Sequence, residues 1–202
     1  MADKKTIRDD KVTHEPVPAD QYVAICSDVI DLGLTVEAFG DNPPAIRDKV
    51  ALVFRLDGER DGKPLHIAQE FTASMGKKAN LRKFLESWRG VPYTEDEAKK
   101  QGIPLDKREG VGALITVAHK TSGSGNTYAY ISSVTRLPKQ MRDGLPNLDG
   151  YERAPFWATK KAEYEAKVLA FTQGTKQGRA DAGDDIPAPE GLDDDDDSSL
   201  PF

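Results

Sequence analysis

The sequence predicts a mainly β domain, a five-stranded barrel with one or two inserted helices, followed by a further helix and a disordered acidic tail. Three observations predict it. Between residues 22 and 138 short apolar segments recur, punctuated by Gly, Asp, Asn and Pro turn residues. Within them the period switches once to helical spacing, at Leu81, Phe84, Leu85 and Trp88. From Asp181 onward nine acids and no Lys or Arg accompany Gly, Pro and Ser, a composition that buries too little apolar surface to order itself.

Residues 1–20 are polar and include Pro16 and Pro18, which suits a flexible arm. A first strand is expected over 22–32, stopped by Gly33, with 34–39 continuing it after a bend. The second is the clearest. Val50, Leu52, Phe54 and Leu56 alternate with Ala51, Val53, Arg55 and Asp57, giving one apolar and one mixed face. Two Asp-Gly pairs between Asp57 and Gly62 mark a turn, and the chain returns over 65–72 with Leu65, Ile67 and Phe71 on one face.

The helical stripe follows, with Asn80 as its N-cap and Gly90 as its stop. Thr94 with Glu97 forms a capping box that starts a second short helix toward Gly102. Strands are expected again over 113–119 and 128–134, joined by a flexible tip at 121–126. Three strands, a helix and two strands is the order of the OB-fold. Past Pro138 a turn-rich stretch leads to a helix over 158–170, with Trp157, Lys161, Tyr164 and Val168 on one face; either it packs on the barrel or it binds a partner. The organisation is an arm (1–20), a barrel domain (21–140), a helical extension (141–172) and a disordered acidic tail (173–202).

The formal charge of -6 conceals an asymmetry. Residues 1–180 carry 28 basic and 25 acidic side chains, net +3, so a mildly basic body bears a strongly acidic tail. Cys26 is the only cysteine, which excludes an internal disulfide and a thiolate metal site. The charged N-terminus has no apolar signal stretch, and the longest apolar run, 111–118, is too short to span a bilayer. A cytoplasmic protein that does not meet membranes is expected.

Two segments carry a resemblance. The tail ends Asp193-Asp194-Asp195-Asp196-Asp197-Ser198-Ser199-Leu200-Pro201-Phe202. An acidic run closed by an apolar residue, proline and a terminal phenylalanine resembles the tip of bacterial single-stranded-DNA-binding proteins, although Ser198 and Ser199 intervene here. The second is in the body: Phe71-Thr72-Ala73-Ser74, then the run from Asn80 to Gly90, then Leu137-Pro138-Lys139. It is similar to a family of phage-encoded, replication-associated proteins related to OB-fold single-strand binders. The body does not look like the bacterial protein's own OB domain. These resemblances imply sequence-independent binding and protection of single-stranded DNA in phage replication, recombination and repair, inside a bacterial host cell. They also imply that the tip (Asp193 to Asp197, Leu200, Pro201, Phe202) docks on replication and recombination proteins. The tip's chemistry suits that independently, since acids speed encounter with basic partners and an aromatic with a free carboxylate makes a compact anchor.

Single-strand binding needs cations for phosphates and aromatic faces for bases. The densest basic cluster is Lys77, Lys78, Arg82, Lys83 and Arg89, with Glu86 the one acid between Lys77 and Gly90; the competing reading is a solvated helix face. Tyr128 and Tyr130 share parity on the last strand, opposed to Ala129 and Ile131, and either face a groove or pack on a neighbouring strand. Arg55 lies on the mixed face of its strand, and Lys120 stands at the base of the 121–126 loop. Trp88 either stacks on a base or completes the helix's core stripe.

No catalytic or metal site is assigned and no cofactor is expected. Asp57, Glu59 and Asp61 belong to the turn chemistry, His14, His66 and His119 have no ligand or triad spacing, and no glycine loop precedes a helix. Two other functions compete: an OB interaction module or DNA mimic that binds no DNA itself, and a nuclease or annealing factor. The basic body favours DNA binding over mimicry, and the absence of an acid or His cluster disfavours a nuclease.

Overall fold

The computed structural model describes residues 15–38, 42–123 and 125–181, with the side chains of 101 and 174–181 left aside. Five antiparallel strands, β1 (Gln21–Glu37), β2 (Ala45–Arg60), β3 (Lys63–Thr72), β4 (Gly112–Thr121) and β5 (Thr127–Arg136), form one sheet in the order β3-β2-β1-β4-β5. Helix α1 (Asn80–Arg89) lies between β3 and β4, and α2 (Phe156–Asp181) follows the sheet. This is the OB strand order with its helix in place. The sheet curls until β3 and β5 approach, but no ladder joins them, so the barrel is open along that seam.

The main core fills the inside of the curl. Val50, Leu52, Phe54 and Leu56 of β2 meet Ile67 and Phe71 of β3, and Leu81, Leu85 and Trp88 of α1 plug the end. Rings dominate it: Phe54 lies 5.2 Å edge-on from Trp88, and Phe71 4.9 Å from Phe84.

Strand β1 serves two cores because its register shifts. Tyr22, Ala24 and Cys26 point inward; after the irregularity between Cys26 and Asp28, Ile30 and Leu32 point outward. A bulge inserts one residue and so exchanges the faces of everything beyond it. A second irregularity at Gly33 (φ 70°) lets the strand continue to Glu37 rather than stop. The outward face of β2, expected to be mixed, is likewise buried: Ala51 and Val53 join Ile30 and Leu32 beneath Trp157 and Tyr164 of α2.

Helix α2 therefore belongs to the barrel. Tyr164 donates to Glu70 (2.7 Å), Lys160 pairs with the same carboxylate, and Lys161 reaches Asp31 at 3.3 Å. It runs to Asp181, past the boundary at 172; residues 182–202, including the acidic tip, lie outside the described residues. The linker into α2 is clamped by buried Asp28, which accepts two bonds from Arg153 (2.6 and 2.7 Å) and one from the Tyr151 hydroxyl (3.0 Å).

Four local expectations are corrected. The N-cap of α1 is Ala79, without a side-chain cap bond, and Asn80 is the first helical residue; Gly90 does end the helix in the left-handed region (φ 75°). The capping box at Thr94 forms, with Glu97 accepting from the Thr94 backbone N–H (2.8 Å), but it starts only a π-helical turn, Glu97–Gln101. Of the two Asp-Gly pairs, only Asp61-Gly62 turns the chain, both residues having positive φ. Gly58 lies within β2, where a Cβ would stand 3.1 Å from Leu65 and 3.2 Å from Tyr22. The arm is fastened from residue 15 onward: Arg60 donates to the carbonyls of Glu15 (2.7 Å) and Pro16 (2.8 Å), and Val17 packs on the core.

Burial pushes the Cys26 thiol up to about 12. Because the thiolate is the nucleophile, the folded protein is expected to resist alkylation at pH 8 and to label only on unfolding. Mass spectrometry after iodoacetamide treatment with and without urea checks this; full labelling of the folded protein would contradict the buried position.

Candidate nucleic-acid interface

The open seam forms a concavity. A groove of about 980 Å³ runs between β3 and β5 with α1 as its floor. Its apolar base comprises Phe71, Phe84, Ile131 and Val134, and Ser87, Ser132 and Ser133 add hydroxyls. Five cations line it: Arg47 and Lys49 from β2, Lys77 and Lys78 from the loop after β3, and Lys83 from α1. Its one acid, Glu70, is already held by Lys160 and Tyr164. Lys49 is buried and paired with Glu37 at 2.8 Å. Arg47, Lys77, Lys78 and Lys83 are exposed and make no salt bridge among the described residues.

The groove's composition follows from local structure. Helix α1 turns its Leu81–Leu85–Trp88 stripe inward and leaves Lys83 on the outer side and Phe84 half-buried at the edge of the stripe, facing the groove. Residues 73–79 have no ladder partner to bury their charges, so Lys77 and Lys78 stand in water beside the gap.

Of the ten residues singled out for DNA contact, three lie in this groove: Lys77, Lys78 and Lys83. Three others form a separate patch. Lys120 sits directly across from Tyr128, and Ala118 across from Tyr130, on the outward face of the β4–β5 hairpin. The tyrosines are 45% and 39% exposed, so neither packs into the core. Tyr130 precedes the groove wall on β5 by one residue but points to the other face of the strand from buried Ile131, so the patch is separate from the groove.

The remaining four do structural work. Arg82 is buried and fully engaged, with Glu86 (2.9 Å), Glu95 (3.2 Å) and the carbonyls of Met75 and Tyr93 (3.2 and 2.8 Å). This network holds the Glu86 carboxyl below its usual range, chiefly through the Arg82 bond and then the Tyr93 N–H. Trp88 is 3% exposed and donates its indole N–H to the Gly112 carbonyl at 2.9 Å. Arg89 pairs with Glu97 (3.0 Å) and lies over the Tyr93 ring at 4.7 Å. Arg55 donates to Asn147 (3.1 Å) and fastens the chain leading to α2. The outward β2–β3 face, a frequent OB ligand surface, is covered by that chain and α2, which leaves the seam as the open channel.

Reasoning from sequence missed Arg47, Lys49 and Phe84 as groove residues. The pair flanking Asp48 carried a charge signal, but only the β3–β5 gap reveals what they face. Phe84 was legible as part of an apolar stripe, and its position at the stripe's edge is what exposes it.

The chain matches no protein-family model and no curated protein sequence. Among the described residues no group of His, Cys, Asp and Glu could hold a metal ion, and no helix is long and apolar enough to cross a membrane.

Proposed function

We propose that the protein binds single-stranded DNA without sequence preference, along the β3–β5 groove, and acts as a non-enzymatic accessory in phage DNA replication, recombination or repair. The observation that carries this reading is the groove itself, with four cations on its rim that make no salt bridge among the described residues, a half-buried phenylalanine on its floor and its single acid neutralised internally. Cations that meet phosphates fix a strand's position but carry no base information, hence the lack of sequence preference. Phe84 offers a ring at the channel floor, and Tyr128 and Tyr130 offer two exposed rings on the outward face of the β4–β5 hairpin, which suits unpaired bases and not a stacked duplex. The tip from Asp193 to Phe202 supports recruitment of basic replication and recombination partners by charge and one aromatic anchor. The phage assignment, and with it the bacterial cytoplasm, rests on the resemblance in residues 71–90 and 137–139.

Fluorescence anisotropy of a labelled strand of about 30 nucleotides, beside a duplex of equal length, tests the reading. Preference for the single strand is expected, with log affinity falling linearly in log salt. At about 0.7 per phosphate neutralised, the groove's four free cations contribute a slope near -3. No binding at low salt, with the full chain and with a chain ending at Ala180, would refute the reading and favour an interaction module that binds no DNA.

A further inference from the structure

A second concavity of about 540 Å³ opens where α1 ends. Four arginines line it, Arg89, Arg108, Arg136 and Arg142, and none of its lining residues is acidic. Its walls are apolar and built close: a Cβ at Gly112 would come within 2.8 Å of Leu145 and 2.9 Å of Leu137, so glycine there is what lets the 139–145 turn fold over the pocket. Two of the arginines are structurally held, Arg89 by Glu97 and Arg108 by the Tyr93 hydroxyl at 2.7 Å. Arg108 still presents a buried Nε–H without a partner among the described residues. Arg136 and Arg142 are exposed and, among the described residues, have no ion pair.

The pocket lies next to the groove along one line. Ser87 and Val134 line the groove, and Trp88 and Arg136 line the pocket. The Ser87 hydroxyl donates to the Val134 carbonyl at 2.6 Å, so helix and strand are joined where the two concavities meet. A strand running up the groove along β5 therefore meets Arg136 of the pocket next, about 7 Å past Val134 at the usual rise of a β-strand.

We infer that the arginine pocket is a second phosphate-binding station for the same single strand, beyond the lysine groove. This rests on the single-strand reading and adds to its footprint. Guanidinium forks suit phosphate oxygens bidentately, so this end grips the backbone at fixed points while the lysines of the groove act as point charges. An isolated anion pocket would have no need to continue the channel, and the shared α1–β5 seam is what favours phosphate of the strand over an acidic peptide.

The test compares the full chain with its Arg136→Ala/Arg142→Ala variant on strands of about 30 and about 4 nucleotides, at the short end of OB-fold site sizes. Neutralising two phosphate contacts is expected to reduce the salt slope on the long strand by about 1.4 and its affinity about 25-fold at 0.1 M salt. The short strand, held by the groove alone, is expected to bind both proteins alike, and circular dichroism is expected to be unchanged because both side chains are exposed. An unchanged slope on the long strand overturns the inference and leaves the groove reading standing. A variant that keeps full strand affinity but loses binding of a synthetic peptide spanning Asp193 to Phe202 also overturns it, reassigning the pocket to acidic peptides. Failure of the unaltered chain to bind either strand refutes the function itself.

Discussion

Replacing Lys77, Lys78 and Lys83 together by alanine is expected to weaken single-strand binding about 100-fold at 0.1 M salt and to make little difference near 1 M. The magnitude follows from counterion release. Each lysine that neutralises a phosphate contributes about 0.7 to the slope of log affinity against log salt, so three contribute about 2 decades between those concentrations. Folding is expected to survive, because all three side chains are exposed and no described salt bridge includes them; surface changes of this kind stay within about 0.5 kcal/mol. Arginine at the same three positions is expected to restore most of the affinity, since charge is what is lost. Anisotropy titrations at four salt concentrations check it. A uniform loss at every salt would point to a disturbed fold, and no loss at all would remove the groove from the DNA path.

The contrast between Lys83 and Arg82 shows what a sequence can and cannot reveal here. Both sit in the same basic run and read alike. The helical period legibly turns Leu81, Leu85 and Trp88 inward, but Arg82 is withdrawn from solvent by Glu95 and the Tyr93 carbonyl, which arrive from beyond the Gly90 turn. No periodicity within the helix encodes that return. The strands were legible for the converse reason: the alternation of facing in β2, with Val50, Leu52, Phe54 and Leu56 to one core and Ala51 and Val53 to the other, and the Asp61-Gly62 turn are local properties, and they survive in the structure. Alternation failed where two local rules collide. In β1 a one-residue bulge exchanges the faces, so Ile30 and Leu32 share the parity of Ala24 and Cys26 yet serve the outer core. The second face of β2 is mixed as its residues imply, but the cover over its Ala51 and Val53 is not legible there, because Trp157 and Tyr164 come from a helix a hundred residues later in the chain. The groove is the least legible feature, being made by a ladder that does not form between β3 and β5.

Trp88 separates stability from binding most sharply. Its ring contacts Phe54 and Phe84 inside the core, so Trp88→Ala is expected to cost about 3–5 kcal/mol and to leave the Gly112 carbonyl without its 2.9 Å donor. Urea denaturation followed by circular dichroism reads this loss directly. Trp88→Phe keeps a ring in the cavity and removes the indole N–H, for an expected cost of about 1–2 kcal/mol. Its affinity for single strands is expected to equal that of the unaltered protein wherever both are folded. The protein's two tryptophans, Trp88 and Trp157, are both buried, so saturation with single-stranded DNA is expected to leave intrinsic emission unquenched. Strong quenching that disappears in Trp88→Phe would mean that a base reaches the indole. The helix would then have to open away from Phe54, and the groove's floor would be a movable element and not the fixed end of the core.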